Sequence, residues 1–173
     1  MKRFNKFSLG MALLFASAST LAYDGTVNFN GEIIDNTCVV SLGSDGNSLV
    51  VPMGSVNKSS FTGKGSTAST TQFILTLTEC PAVNARVKFD GPTYEGDQDV
   101  LALNAGAGVA TGVGIRLYDQ NMAVLPLFTA SSPYELQEKV DNNLKFYASY
   151  IATAGSVTAG PANAVATFTM NYN

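Results

Sequence analysis

The two cysteines, Cys38 and Cys80, are the most reactive side chains in the chain. A thiol pair supports either redox chemistry or a structural bridge, and the compartment decides between them. Other chemistry fails on composition. No histidine occurs among the 173 residues, which removes the commonest general base and the commonest metal ligand. Serines are plentiful, but none has a partner that would activate it as a nucleophile. The run Gly63-Lys64-Gly65-Ser66-Thr67 comes nearest to a phosphate loop. It breaks the pattern twice, with Gly65 at the Ser/Thr position and Lys58 where the first glycine belongs, so it reads as a surface loop. Asp90, Glu95, Asp97 and Asp99 are hard-cation ligands by type. Their spacing matches no calcium loop, and Gly91, Pro92 and Gly96 among them mark a solvated turn. The expectation is no catalytic residue, no metal site and no cofactor.

The compartment is legible at the N-terminus. MKRFNKF carries Lys2, Arg3 and Lys6, a short apolar run from Leu9 to Phe15 follows, and small residues come after it. This is the pattern of a secretory signal peptide, too short for a membrane span. Cleavage after Ala22 gives the more usual spacing, and cleavage after Ala18 also fits the small-residue rule. With residues 1–22 removed, the chain is exported and keeps 151 residues, enough for one domain with a real core. In an oxidising compartment the cysteine pair reads as one disulfide closing a loop of roughly 40 residues, worth about 4 kcal/mol in the chain-entropy account. Setting aside Lys2, Arg3 and Lys6 leaves seven cations against 13 acids, a net charge of −6. That balance argues against nucleic acid or an anionic membrane surface as partner.

The elements that position these residues are strands. In YDGTVNFNGEIIDNTCVV, residues 23–40, Val27, Phe29, Gly31 and Ile33 share one face, and Thr26, Asn28, Asn30 and Glu32 the other. Further along, 48–53 reads as a strand ending near Pro52, 54–71 as a Ser/Thr/Gly-rich loop, and QFILTLTEC as a strand with Phe73, Leu75 and Leu77 together. Residues 85–89 form a short strand with Val87 and Phe89 inward, and 100–103 a brief one. Val113, Ile115 and Leu117 alternate with polar or small neighbours, and a turn at Asp119 leads into 123–128. Two strong strands follow. Leu144, Phe146, Ala148 and Tyr150 share a face of the first, which puts Tyr147 on the opposite face; Ala164, Ala166, Phe168, Met170 and Tyr172 share a face of the second. Strands at this spacing predict a β-sandwich. The most strand-like segment comes last, so its far edge is expected to lack a covering strand, a template for another chain.

At this point the sequence resembles the chaperone–usher pilins, specifically the type 1 fimbrial subunit family. The resemblance spans the mature chain. GTVNFNGEIIDNTC is similar to the family's N-terminal extension with Gly31 at its small position, QFILTLTEC to the strand ending in the second cysteine, and ATGVGIRLYD to a recurring mid-chain segment. The end of the chain resembles the family's C-terminal signature, with penultimate Tyr172 and Gly160 fourteenth from the end. The resemblance implies an incomplete immunoglobulin-like β-sandwich lacking its seventh strand. Its division would be a signal peptide (1–22), a donor-strand extension (23–36) and a pilin domain (37–173). The groove would be filled first by a periplasmic chaperone and then, in the fibre, by a neighbour's extension running antiparallel to the last strand. Gly160, Phe168, Met170 and Tyr172 would form the chaperone and groove edge. An outer-membrane usher, other pilus subunits in a homo- or hetero-polymer, and a host receptor met through the fibre are the implied partners, at the cell-surface fimbrium. Only 15 residues precede Cys38 after cleavage at Ala22, which resembles adaptor subunits. Major, adaptor and terminator roles and a single-domain adhesive role remain open at this stage.

Overall fold

The chain is described by a computed structural model over residues 26–30, 38–42 and 48–172. It divides into two units, Met1–Ile33 and Ile34–Asn173. In the first, residues 26–30 carry no regular secondary structure, and Val27 and Phe29 are 78% and 92% exposed. The expected leader, Gly31 and Ile33 lie outside the described residues.

The second unit is built from strands β1 (Val39–Ser41), β2 (Thr67–Thr78), β3 (Asn84–Asp90), β4 (Thr93–Tyr94) and β5 (Asp97–Leu101), then β6 (Val113–Tyr118), β7 (Tyr134–Glu135), β8 (Asn142–Ala152) and β9 (Thr167–Tyr172). A single 3-10 turn, Lys58–Ser60, is the only helical element described; the Asn57 side chain caps it by accepting from the Ser59 N–H at 3.0 Å. No described helix is long and apolar enough to cross a membrane.

Two antiparallel sheets result, one ordered β1-β2-β8-β6-β5-β4 and the other β7-β3-β9. The first is organised around β8, which pairs with β2 on one side and β6 on the other. β2 is rich in Thr and apolar residues that suit a pleated, half-buried surface. The inward residues Leu75, Leu77, Val87, Leu144 and Phe146 are all within 2% of complete burial. Between the sheets, Phe146 of β8 meets Phe89 of β3 edge-on at 5.1 Å, and Phe73, Tyr134 and Phe168 complete an aromatic cluster. Such contacts contribute roughly 0.5–1.5 kcal/mol each beyond area burial.

Several element boundaries differ from expectation. β2 begins at Thr67, inside the stretch read as loop; it is interrupted by a bulge where Ser69 adopts φ 56°, and the Ser69 hydroxyl donates to the Met53 carbonyl at 2.6 Å. A serine-rich run does not disfavour pairing when the partner strand, β8, is long enough to carry it. Residues 48–53 form no strand. Residues 123–128 contribute only one bridge, Tyr118 to Val124. There the Asp119 carboxylate takes the local backbone bonds, accepting from the N–H groups of Asn121 at 2.8 Å and Ala123 at 3.0 Å and from the Ser132 hydroxyl at 2.7 Å. The acidic turn is a tight hairpin between β4 and β5 in which Glu95 and Gly96 both have positive φ.

Candidate functional site

The segment from Ala162 to Tyr172 alternates without interruption. Ala162, Ala164, Ala166, Phe168, Met170 and Tyr172 pack against the core and remain half-buried, while each intervening residue is exposed. The equivalent row on β8 is complete: Leu144, Phe146, Ala148 and Tyr150 are 2%, 0%, 4% and 7% exposed. Six consecutive inward positions that stop short of burial trace a trough in the core surface, open along its length. β9 pairs with β3 from Ala85–Tyr172 to Asp90–Thr167, and no strand of the described chain pairs with its other side. Its outward backbone N–H and C=O groups are therefore available to a further strand.

The backbone of 161–166 continues the line of β9 but finds different partners. β3 ends at Asp90 and turns away through Gly91 and Pro92, so the carbonyls of Pro161 and Asn163 accept instead from Ala110 at 3.0 Å and Asn104 at 2.7 Å. The Tyr150 hydroxyl donates to the Ala162 carbonyl at 3.0 Å. Burial raises the Tyr150 phenol above its ordinary pKa. Tyr147, on the opposite face, is half-buried.

Each end of the trough is defined. At the Tyr172 end, burial raises the phenol's pKa and a hydrogen bond with the Cys38 backbone opposes the rise, placing the tyrosine beside the disulfide. Cys38 and Cys80 are joined, with their Cα atoms 4.4 Å apart, and no described cysteine is free. At the Gly160 end lies a cavity of about 290 Å³ lined by Val56, Phe61, Val157, Gly160 and Ala162 among others. Met53, Val56 and Phe61 are half-buried against the core, as the last segment is.

Gly160 sits where the chain leaves no room for a side chain. A Cβ there would collide with the Gly108 carbonyl oxygen and approach the Ala110 nitrogen to 2.7 Å. The structure thus gives this glycine a packing role at the cavity wall. Of the other residues singled out from sequence, Phe168, Met170 and Tyr172 stand in one row, and Val27 and Phe29 belong to the separate N-terminal unit. Val56 and Phe61 escaped sequence reasoning because they are scattered through Gly, Ser and Thr at a spacing that fits neither a strand nor a helix, and Met53 stood at the end of the stretch read as a strand.

Nothing in this arrangement performs bond chemistry. Asp119 is the most enclosed carboxylate among the described residues, and burial pushes its pKa up, but the bonds from Ser132, Asn121 and Ala123 outweigh that and hold it below the ordinary range. Both of its oxygens are engaged in those bonds. Among the described residues no cluster of His, Cys, Asp or Glu could hold a metal ion. What the site offers is a row of half-buried apolar residues beside a strand edge that no described strand pairs with.

Comparison with known proteins identifies the family and the fold. The fimbrial protein family model matches residues 27–173. The type-1 fimbrial protein C chain of Escherichia coli is 38% identical over 98% of this chain and 94% of its own length. The long polar fimbria protein A of Salmonella typhimurium is 35% identical over 93% of this chain and 92% of its own. Among solved structures, the type I fimbria protein of Burkholderia pseudomallei superposes with a TM-score of 0.60 at 38% identity, covering 86% of this chain and 97% of that one. The P pilus rod subunit PapA shares the fold, with a TM-score of 0.63 at 19% identity over 79% of this chain and 99% of that one. The chain is therefore a member of the fimbrial protein family, an all-β pilin of the chaperone–usher type and a structural subunit rather than an enzyme.

Proposed function

We propose that this chain polymerises by strand exchange: residues 23–36 of one subunit fill the trough along β9 of the next, each chain being donor at one end and acceptor at the other. The observation that carries this reading is the row from Ala162 to Tyr172, six inward positions all left half-buried beside an unpaired edge. Strand addition to an exposed sheet edge is a general mode of recognition of which pilin assembly is itself a standard example, so the mode is not particular to this chain. Val27 and Phe29 are exposed where they stand. Burying them with Ile33 against a neighbour contributes roughly 1.5–3 kcal/mol for each side chain.

In this reading residues 1–22 are the export leader, a periplasmic chaperone occupies the trough until assembly, an outer-membrane usher orders it, and the product is a surface fibre that supports adhesion. A subunit lacking residues 23–36 behind its leader tests the scheme. It should still be captured by the chaperone and should add to a fibre only as the last, non-donating unit, so its co-expression with the intact chain shortens fibres seen by electron microscopy. Fibres of normal length built from the truncated chain alone would refute it.

A further inference from the structure

The last segment and the cavity at its Gly160 end carry a single charged side chain. Residues 48–57 and 157–173 contain no Asp, Glu, Lys or Arg. Of the residues lining the cavity at the Gly160 end, Lys58 alone is charged. It is exposed, and the only ion pair among the described residues is Lys88 with Asp90. Lys58 shares its end of the trough with polar Ser55, Thr158 and Asn163.

The extension has the opposite character. Residues 23–36 carry Asp24, Glu32 and Asp35 and no cation. Strand alternation puts Asp35 on the face of Val27, Phe29, Gly31 and Ile33, and puts Asp24 and Glu32 on the other. An inward carboxylate in an apolar trough is costly unless it meets a partner. Every strand pair among the described residues is antiparallel. An extension joining β9 in the same sense brings its C-terminal end to the Gly160 end. The inward positions from 25 to 35 then match, one for one, the six from Ala162 to Tyr172.

We propose that Lys58 is a register-setting residue, pairing with Asp35 of the extension of a second copy of this chain. The proposal rests on the strand-exchange reading above. Apolar side chains supply most of the attraction but fix register weakly, because a shift by two residues keeps the same face inward. A lone cation at one end, met by a lone inward acid, distinguishes the correct register from its neighbours.

The test is a charge swap in the full mature chain, followed by the rate of fibre growth from purified subunit. Lys58→Asp and Asp35→Lys should each slow growth about two- to fivefold, the range expected for an exposed or half-exposed pair. The double variant should restore the rate, and the deficit of the single variants should shrink at high salt. Glu32→Lys, on the other face, should not be rescued by Lys58→Asp. Unaltered singles, or a double variant no faster than the slower single, would overturn the pairing. Phe29→Asp separates the two levels. If it abolishes growth while the swap has no effect, strand exchange stands and the pairing falls; if it grows normally, or the unaltered chain forms no fibre by itself, the pairing falls as well.

Discussion

Four residues carry three separable roles. Gly160 is fixed by sterics, because its Cα faces the backbone at Gly108 and Ala110. Gly160→Ala should destabilise the subunit by about 1–3 kcal/mol, the usual penalty for forcing atoms into a packed site, and the loss should appear as a lower thermal midpoint of the folded subunit. A normal midpoint with defective assembly would instead make the glycine an assembly residue alone. Asp119 is fixed by electrostatics. Its pKa is held low in the fold, so its contribution is fully present above the unfolded value of about 3.9 and is lost as pH falls through the lower folded value. Asp119→Asn should therefore cost about 0.5–1.5 kcal/mol near neutrality, with the gap to the unaltered chain closing below about pH 4. A gap independent of pH would show that the charge is irrelevant to the turn. Cys38 and Cys80 are bonded to each other. Folded, exported material should show no titratable thiol, and their joint replacement should lower stability by about 2–4 kcal/mol.

At the scale of elements, β8 and β9 form an instructive contrast. Both alternate, yet β8 is covered on its inner face and β9 is half-covered. Phe146→Ala should cost about 3–5 kcal/mol whether or not the trough is filled, as for any fully buried ring. Phe168→Ala should cost clearly less in the free subunit and approach that figure when a donor strand lies over it. Urea unfolding of both variants, free and donor-filled, measures the difference; equal costs for Phe168 in the two states would mean that nothing covers it. Much of this was legible beforehand, because period-two alternation marks β2, β3, β6, β8 and β9 directly and the apolar positions named in each prove inward. Boundaries were less so. Thr67–Thr71 reads as loop by composition, yet pairs with β8 across a bulge. The strand-like residues 48–53 form none, and β1 is the strand that pairs with the end of β2, at Thr76–Thr78. The placement of Val56 and Phe61 at the cavity depends on tertiary structure alone, and so does that of Lys58 as its one charged residue.

For the whole molecule, strand exchange as proposed makes the fold one strand short, with the chain carrying the missing strand for its neighbour. In the strand-exchange proposal a subunit is marginal alone and stable in a fibre, since assembly would complete the core. The inward residues Val27, Phe29 and Ile33 together offer several kcal/mol on burial, against a modest loop-closure cost when the strand is supplied by the same chain. The most direct measurement is thermal unfolding of a rearranged subunit in which residues 24–35 are moved from the N-terminus to follow Asn173 through a short Gly/Ser/Asn turn, returning antiparallel along β9. It is compared with a subunit lacking residues 24–35 altogether. The rearranged chain should be a monomer that does not polymerise, with a midpoint on the order of 10 °C higher or more. Equal midpoints in two monomeric chains would contradict the claim, because the trough would then need no strand to complete it.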